Sequence, residues 1–285
     1  VRRLRQLLRK RGLRAAERVV VVEGAELLSV ALAAGASIEA VYVAPEGAAA
    51  PAVVNVTQRI LSQGGRVFDL APGVMERVAS TVTPQPLLAV VSYSSTPLDA
   101  LDGATLVVVC VDVRDPGNLG TVIRSADAAG VDAVICCDGT VDPTNSKCVR
   151  ATAGSLFHLP VVDGGTSAAA VADLSARGFT TVATVVRGGT DYSAFDWTGP
   201  VALVLGNEAG GLPHDLVATV DASVTIPMAG RSESLNVSVS AAVLCFEALR
   251  QRRTSASSKP SAARSTMTAM DEVAQRPDDG GGVTA

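Results

Sequence analysis

The sequence predicts an α/β protein of two domains joined by a short linker. Apolar, β-branched runs alternate with stretches of helical periodicity along most of the chain, the pattern of interleaved strands and helices. The alternation breaks at 94–103, where Ser94-Ser95-Thr96-Pro97 and the aspartates Asp99 and Asp102 favour turns. With 285 residues, 48% of them hydrophobic, the chain can bury two cores. Aromatic residues make up only 3%, so Val, Ala and Leu must fill those cores.

The first domain is expected over 1–93. Its β-branched run at 19–23 reads as a strand, and 25–34 as a helix ending at Gly35. A strand at 38–43, a Pro/Gly/Ala loop at 45–51 and a helix at 53–62 before Gly64-Gly65 come next. A strand at 67–70, a helix at 72–79 and a strand at 87–93 complete it. The second domain is expected over 104–253. It opens with the continuous apolar run 105–111, as in a sheet covered on both faces. Leu119, Val122, Ile123 and Ala126 recur at helical spacing, with Gly130 just beyond the end. Further strands are expected at 131–137, 159–162, 180–185, 201–205 and 224–226, and helices at 146–156, 167–177, 213–220 and 236–250. This domain should be mostly parallel. Residues 254–285 are rich in Ser, Ala, Thr and Gly without an aromatic. Such a tail buries too little surface to offset its ordering entropy, so disorder is expected.

No window holds 18 uninterrupted apolar residues, so no membrane span is expected. The arginine-rich start lacks the apolar stretch of a secretory signal. Cys110, Cys136, Cys137, Cys148 and Cys245 contain no C-x-x-C pair. They read as buried reduced thiols of a cytoplasmic protein. His158 and His214 are the only histidines and have no ligand-spaced partner, so no metal is expected. The net charge of −4 hides an asymmetry. Arg2, Arg3, Arg5, Arg9, Lys10, Arg11, Arg14 and Arg18 face Glu17 alone, a local net of +7. That patch suits RNA phosphates, although a solvated helix would carry the same charges.

Three polar loops follow apolar strands in the second domain. Asp112-Val113-Arg114-Asp115-Pro116-Gly117-Asn118 runs on to Arg124. Leu205-Gly206-Asn207-Glu208-Ala209-Gly210-Gly211 follows the run at 201–205. Ile226-Pro227-Met228 leads through Ser234-Leu235-Asn236 into an apolar helix. Strand ends of open α/β sheets are where ligands bind. Taken singly, Asn118 could be a helix cap, Arg124 a surface arginine, Glu208 a solvated turn residue, and Ser234 or Asn236 a cap. Glycines in the second loop permit close backbone approach to a ligand. Neither G-x-G-x-x-G nor a P-loop is present, which removes the usual support for a nicotinamide oxidoreductase or an NTPase.

In order and spacing these loops resemble the three motifs of the SpoU/TrmH family of RNA ribose 2′-O-methyltransferases, in the SPOUT superfamily. The similarity covers 105–250 and, more weakly, the first domain, through Arg18-Val19-Val20-Val21-Val22-Glu23-Gly24 and Thr83-Pro84-Gln85. Pro86 stands where the family commonly has glycine. The ribosomal-RNA branch, including the thiostrepton-resistance type, is most similar. The resemblance implies an L30e-like substrate-binding domain followed by a SPOUT domain with a deep trefoil knot, S-adenosylmethionine as methyl donor, and a homodimer through the C-terminal domain. It places catalytic roles on Asn118, Arg124, Glu208, Ser234 and Asn236. It places cofactor contacts on Leu205, Gly206, Asn207, Gly211, Ile226, Met228 and Leu235. Transfer RNA as substrate, or a non-catalytic RNA-binding role in ribosome assembly, are the alternatives.

Overall fold

The computed structural model describes residues 1–79, 81 and 83–258. Two short helices, α1 (Arg2–Arg9) and α2 (Arg11–Glu17), lead into β1 (Val19–Glu23) and α3 (Ala25–Ala33). Strand β2 (Ile38–Val43), α4 (Pro51–Ser62), β3 (Arg66–Asp69), α5 (Val74–Val78) and β4 (Leu87–Ser92) follow. The strands are ordered β1-β4-β2-β3. β4 is antiparallel to both β1 and β2, while β2 and β3 are parallel. Alternate side chains fill two layers. Val20, Val22, Val41 and Ala89 face α3 and α4, whereas Val19, Val21, Leu88 and Val90 pack on Leu4, Leu7 and Met75. The basic N-terminal segment is thus held down by apolar contacts. Pro86 packs on Gly47, where a Cβ would lie 2.2 Å from the proline side chain.

The second domain runs β5 (Leu106–Cys110), α6 (Pro116–Ala128), β6 (Ala133–Cys136), α7 (Ser146–Ala151), β7 (Val161–Asp163), α8 (Ser167–Ala176), β8 (Thr180–Thr184) and β9 (Thr190–Asp191). It ends with β10 (Val201–Leu205), α9 (His214–Val217), β11 (Ala222–Thr225) and α10 (Val237–Ser258). Its seven strands are ordered β7-β6-β5-β10-β8-β11-β9 and every neighbouring pair is parallel. Leu106, Val108 and Cys110 join the core under α6 and α10; Val107 and Val109 join the core under α8 and α9. Both faces are buried, which is why the strand sequences read as continuous apolar runs. Because all seven strands point one way, the three polar loops emerge along a single edge.

Several elements differ from the sequence reading. The two-residue β9 lacks an apolar run and forms only by pairing with Val224 and Thr225 at the sheet edge. The expected helix at 146–156 breaks after Ala151, where Ala153 and Gly154 take positive φ. The last helix continues to Ser258, so disorder is wrong for 254–258. Its final turns are anchored: Gln251 bonds Trp197 N and Phe195 O, and Arg252 reaches the carbonyls of Thr105, Trp197 and Gly199. Residues 259–285 of the expected tail lie outside the described residues. All five cysteines are buried free thiols. Among the described residues, no helix is long and apolar enough to cross a membrane.

The domains are clamped together. Arg14, only 5% exposed, pairs with Asp142 and donates to Thr144 Oγ1 at 2.8 Å and to Leu7 O. Arg150 pairs at 3.0 Å with the buried Glu23, which also accepts from Thr81 and Gln85. The linker lies against the sheet, with Thr96 N donating to Val161 O at 2.9 Å.

Candidate active site

The first loop leaves β5 through Asp112, whose φ of 55° is left-handed and turns the chain sharply. Asp115 caps α6 by accepting from Asn118 N at 2.9 Å, and Pro116 occupies the first helical turn. The cap is therefore Asp115, which frees the Asn118 side chain. Lys147, bonded to Asp115 Oδ2 at 2.8 Å, and the Asn118 N–H hold that carboxyl below its ordinary value.

The second loop closes on itself. Asn207 and Gly211 exchange two backbone hydrogen bonds of 3.0 Å, and a Cβ on Gly206 would lie 2.4 Å from Gly211 C. Asn207 donates to Asp112 O at 2.8 Å and accepts from the N–H groups of Ala209 and Gly210. Its side chain is spent on fastening loop two to loop one. Glu208 is consequently carried over the start of α6. In the third loop Asn236 caps α10, accepting from Ser238 N at 2.9 Å and Ser238 Oγ at 2.7 Å.

The three loops meet in one chain of side chains. Asn118 Nδ2 donates to Glu208 Oε1 at 2.9 Å, and Asn236 Nδ2 donates to Asn118 Oδ1 at 3.1 Å. Asn236 both caps a helix and reaches the site. The N–H groups of Arg114 and Asp115 also face Glu208, each at 3.4 Å. Burial would raise the Glu208 carboxyl, but the Asn118 amide and the backbone N–H groups outweigh it and hold it below the ordinary value. Arg124 lies one helical stretch farther along α6, exposed and without a hydrogen-bond or ion-pair partner among the described residues. Glu208 is therefore hydrogen-bonded to Asn118 and not to Arg124. Ser234 is exposed and stands outside the amide chain; its carbonyl accepts from Ser232 Oγ at 2.9 Å.

Beside this chain is a cavity of about 280 Å³. All seven residues expected to contact cofactor, Leu205, Gly206, Asn207, Gly211, Ile226, Met228 and Leu235, line it, as do Glu208 and Ser234. Val224, Val237 and Leu244 add an apolar wall. Thr184, Val185 and Val186, at the end of β8, also line it. Sequence reasoning missed them, because Thr184, Val185 and Val186 carry no charge or amide and read as the continuation of an apolar strand. No histidine lines the cavity.

The basic N-terminal residues separate into two groups. Arg14 is consumed by the domain clamp, and Arg3 by Glu17 and Glu39, with bonds of 2.5 to 2.8 Å. Neither is a free phosphate contact. Arg2, Arg5, Arg9, Lys10, Arg11 and Arg18 are exposed.

Residues 105–246 match the SpoU rRNA Methylase family, and residues 1–89 match the MRM3-like substrate binding domain. A Bacillus subtilis protein, 23S rRNA (guanosine(2553)-2′-O)-methyltransferase RlmP, is 39% identical over 186 residues, covering 65% of this chain and 73% of the relative. This chain belongs to the SpoU methylase family. Among solved structures, an AdoMet-bound rRNA methyltransferase from Sinorhizobium meliloti matches with a TM-score of 0.76 and 34% identity, over 87% of this chain and 93% of that one. The SpoU methyltransferase AviRb from Streptomyces viridochromogenes, in complex with AdoMet, matches with a TM-score of 0.79 and 28% identity over 88% and 97%. Both likenesses span the two domains of this SpoU methylase, so the arrangement of domains is shared along with the sheet.

Proposed function

We propose that this chain transfers a methyl group from S-adenosylmethionine to a ribose 2′-hydroxyl of RNA, with 23S ribosomal RNA as the substrate. The observation that carries this reading is the Glu208–Asn118–Asn236 chain beside the loop-lined cavity. The cavity suits the cofactor: aliphatic side chains offer an apolar bed, and glycine-rich backbone offers close approach. Leu205–Gly211, Ile226, Met228 and Leu235 would hold it. When bound, S-adenosylmethionine supplies an activated methyl on a sulfonium.

The protein's task is alignment and charge. Alignment of reacting groups contributes roughly 7–11 kcal/mol in favourable cases. Asn118 is held at both ends, so its amide is oriented for the ribose. Arg124 is a guanidinium that stays protonated. Its free planar fork suits an RNA phosphate and stabilises negative charge growing on the 2′-oxygen. Glu208, held ionised, accepts hydrogen bonds and fixes Asn118. Ser234 fixes the ribose or the cofactor from the cavity wall.

The same reading includes an L30e-like substrate-binding domain, a deep trefoil knot in the SPOUT domain and a cytoplasmic setting, which the five buried thiols suit. It also includes a homodimer through α10, supported by Val239 and Phe246, which are 46% and 48% exposed on one helical face. The test is transfer of labelled methyl from S-adenosylmethionine to ribosomal RNA, with the product mapped as a 2′-O-methylated nucleotide. Absence of label from ribosomal RNA while transfer RNA is labelled would replace the substrate. Absence of label from both would remove the enzymatic reading.

A further inference from the structure

A second cavity, of about 470 Å³, lies between the domains, and nothing in the methyl transfer uses it. Its walls are α2 and the start of β1, the ends of β6 and β7, and the loop 138–144. Arg11 and Arg18 line it, as do Asp138 and Asp163. All four are exposed, and neither guanidinium has a partner among the described residues. The Asp138 carboxylate is likewise unpaired there, and Asp163 accepts only a long bond of 3.4 Å from Gly165 N. Opposite charges therefore share one cavity without neutralising each other. Such a cavity offers cations to an anion and carboxylates to a hydrogen-bond donor. Tyr93 also lines the cavity, and its hydroxyl is shielded from solvent and has no hydrogen-bond partner among the described residues.

The cavity adjoins the transfer site. β6 is the sheet neighbour of β5. A Cβ on Gly139 would lie 2.7 Å from Asp112 Oδ1, and Asp112 is the residue that Asn207 grips. The 138–144 loop thus touches the first motif loop, and both cavities open along the same sheet edge. The Arg14–Asp142 pair ties the 138–144 loop to α2.

We propose that this interdomain cleft binds a guanine nucleotide of the RNA adjacent to the one that is methylated, with Arg11 and Arg18 on its phosphate and Asp138 on its base. The proposal rests on the RNA methyltransferase reading. Its volume is within the usual range for small-ligand sites. Arginine forks suit phosphate oxygens, and proteins read single-stranded RNA on the Watson–Crick edge. Guanine presents two neighbouring donors, N1–H and N2–H, to one carboxylate. Uracil presents one donor between two carbonyls that the carboxylate repels.

The test uses the full-length protein with excess S-adenosylhomocysteine filling the other cavity. Binding of 5′-GMP, 5′-UMP and inorganic phosphate is followed by NMR titration. GMP should bind about tenfold more tightly than UMP, the discrimination of one good base contact. The Arg11→Ala/Arg18→Asn variant should lose binding of both nucleotides at least tenfold; asparagine suits the left-handed backbone of residue 18, where φ is 53°. Asp138→Asn should erase the GMP preference and leave UMP affinity unchanged. Thermal melting checks that each variant is folded. Equal affinity for phosphate and GMP, or GMP binding that survives the double substitution, overturns the proposal. Because the readout is binding, failure of methyl transfer would leave this result interpretable.

Discussion

Replacing Asn118 by alanine probes the point where the three loops converge. The substitution removes a donor to an ionised carboxylate at 2.9 Å and an acceptor for Asn236 at 3.1 Å. A hydrogen bond to a charged group contributes about 1.5–3 kcal/mol and a neutral one about 0.5–1.5. Both pairs are exposed, so the low ends apply, and the joint loss is about 2 kcal/mol. If Asn118 acts by orientation, that loss falls on the transition state and slows transfer roughly 30-fold. The residue does not line the cofactor cavity, so cofactor affinity should stay within about threefold of the wild type, less than 0.7 kcal/mol. Folding should hardly change, because Asp115 still caps α6. The assay pairs single-turnover methyl transfer to ribosomal RNA with calorimetric titration of S-adenosylmethionine. Unchanged transfer would show that the amide chain is scaffolding. A loss of cofactor affinity equal to the loss of rate would show that Asn118 is a cofactor ligand. Either result refutes the argument.

Arg124→Lys should lower transfer at least tenfold with cofactor affinity intact, since an ammonium cannot reproduce a planar fork; parallel rate and binding measurements decide it. Gly120→Ala should destabilise the fold by about 1–3 kcal/mol, because its Cβ would meet Cys148 O at 2.5 Å where α6 crosses α7; urea unfolding reads the change. Arg14→Ala should cost about 3 kcal/mol by leaving Asp142 without its partner in the domain clamp, and an unchanged unfolding midpoint would argue against the clamp. The Glu208 carboxyl is held below its ordinary value, so the stability it contributes is present above the unfolded pKa and lost as pH falls through the lower folded one. A carboxyl ¹³C titration should place its midpoint below that of an unperturbed glutamate in wild type, and move it upward in Asn118→Ala.

The basic N-terminal segment shows where residue type and residue role part company. Eight cations in 18 positions are visible in the sequence, but not that Arg14 is buried against Asp142 or that Arg3 is held by Glu39. Their partners lie 128 and 36 positions away, and no local pattern encodes such pairings. Deleting 1–18 would also remove the buried Leu4 and Leu7, so loss of RNA binding in that truncation would be mixed with loss of stability. Neutralising Arg2, Arg5, Arg9 and Lys10 is the cleaner perturbation, expected to flatten the salt dependence of RNA binding.

By itself the sequence determined most of the elements and the inventory of chemistry. Uninterrupted apolar runs marked strands buried on both faces, and helical spacing marked α6 and α10. Asn118, Arg124, Glu208 and Asn236 stood out because their motifs place polar residues at strand ends. Tertiary structure alone decided how they are joined. Parallel pairing of β5 with β10 put loops 90 residues apart in sequence within hydrogen-bond reach, so Glu208 met Asn118. The same folding turned Asn207 inward as a fastener and left Arg124 free. It also carried α10 past Arg250, where Gln251 and Arg252 meet Trp197, Thr105 and Gly199. Local propensity acts over a few residues, whereas these contacts form only after strands distant in the chain have paired.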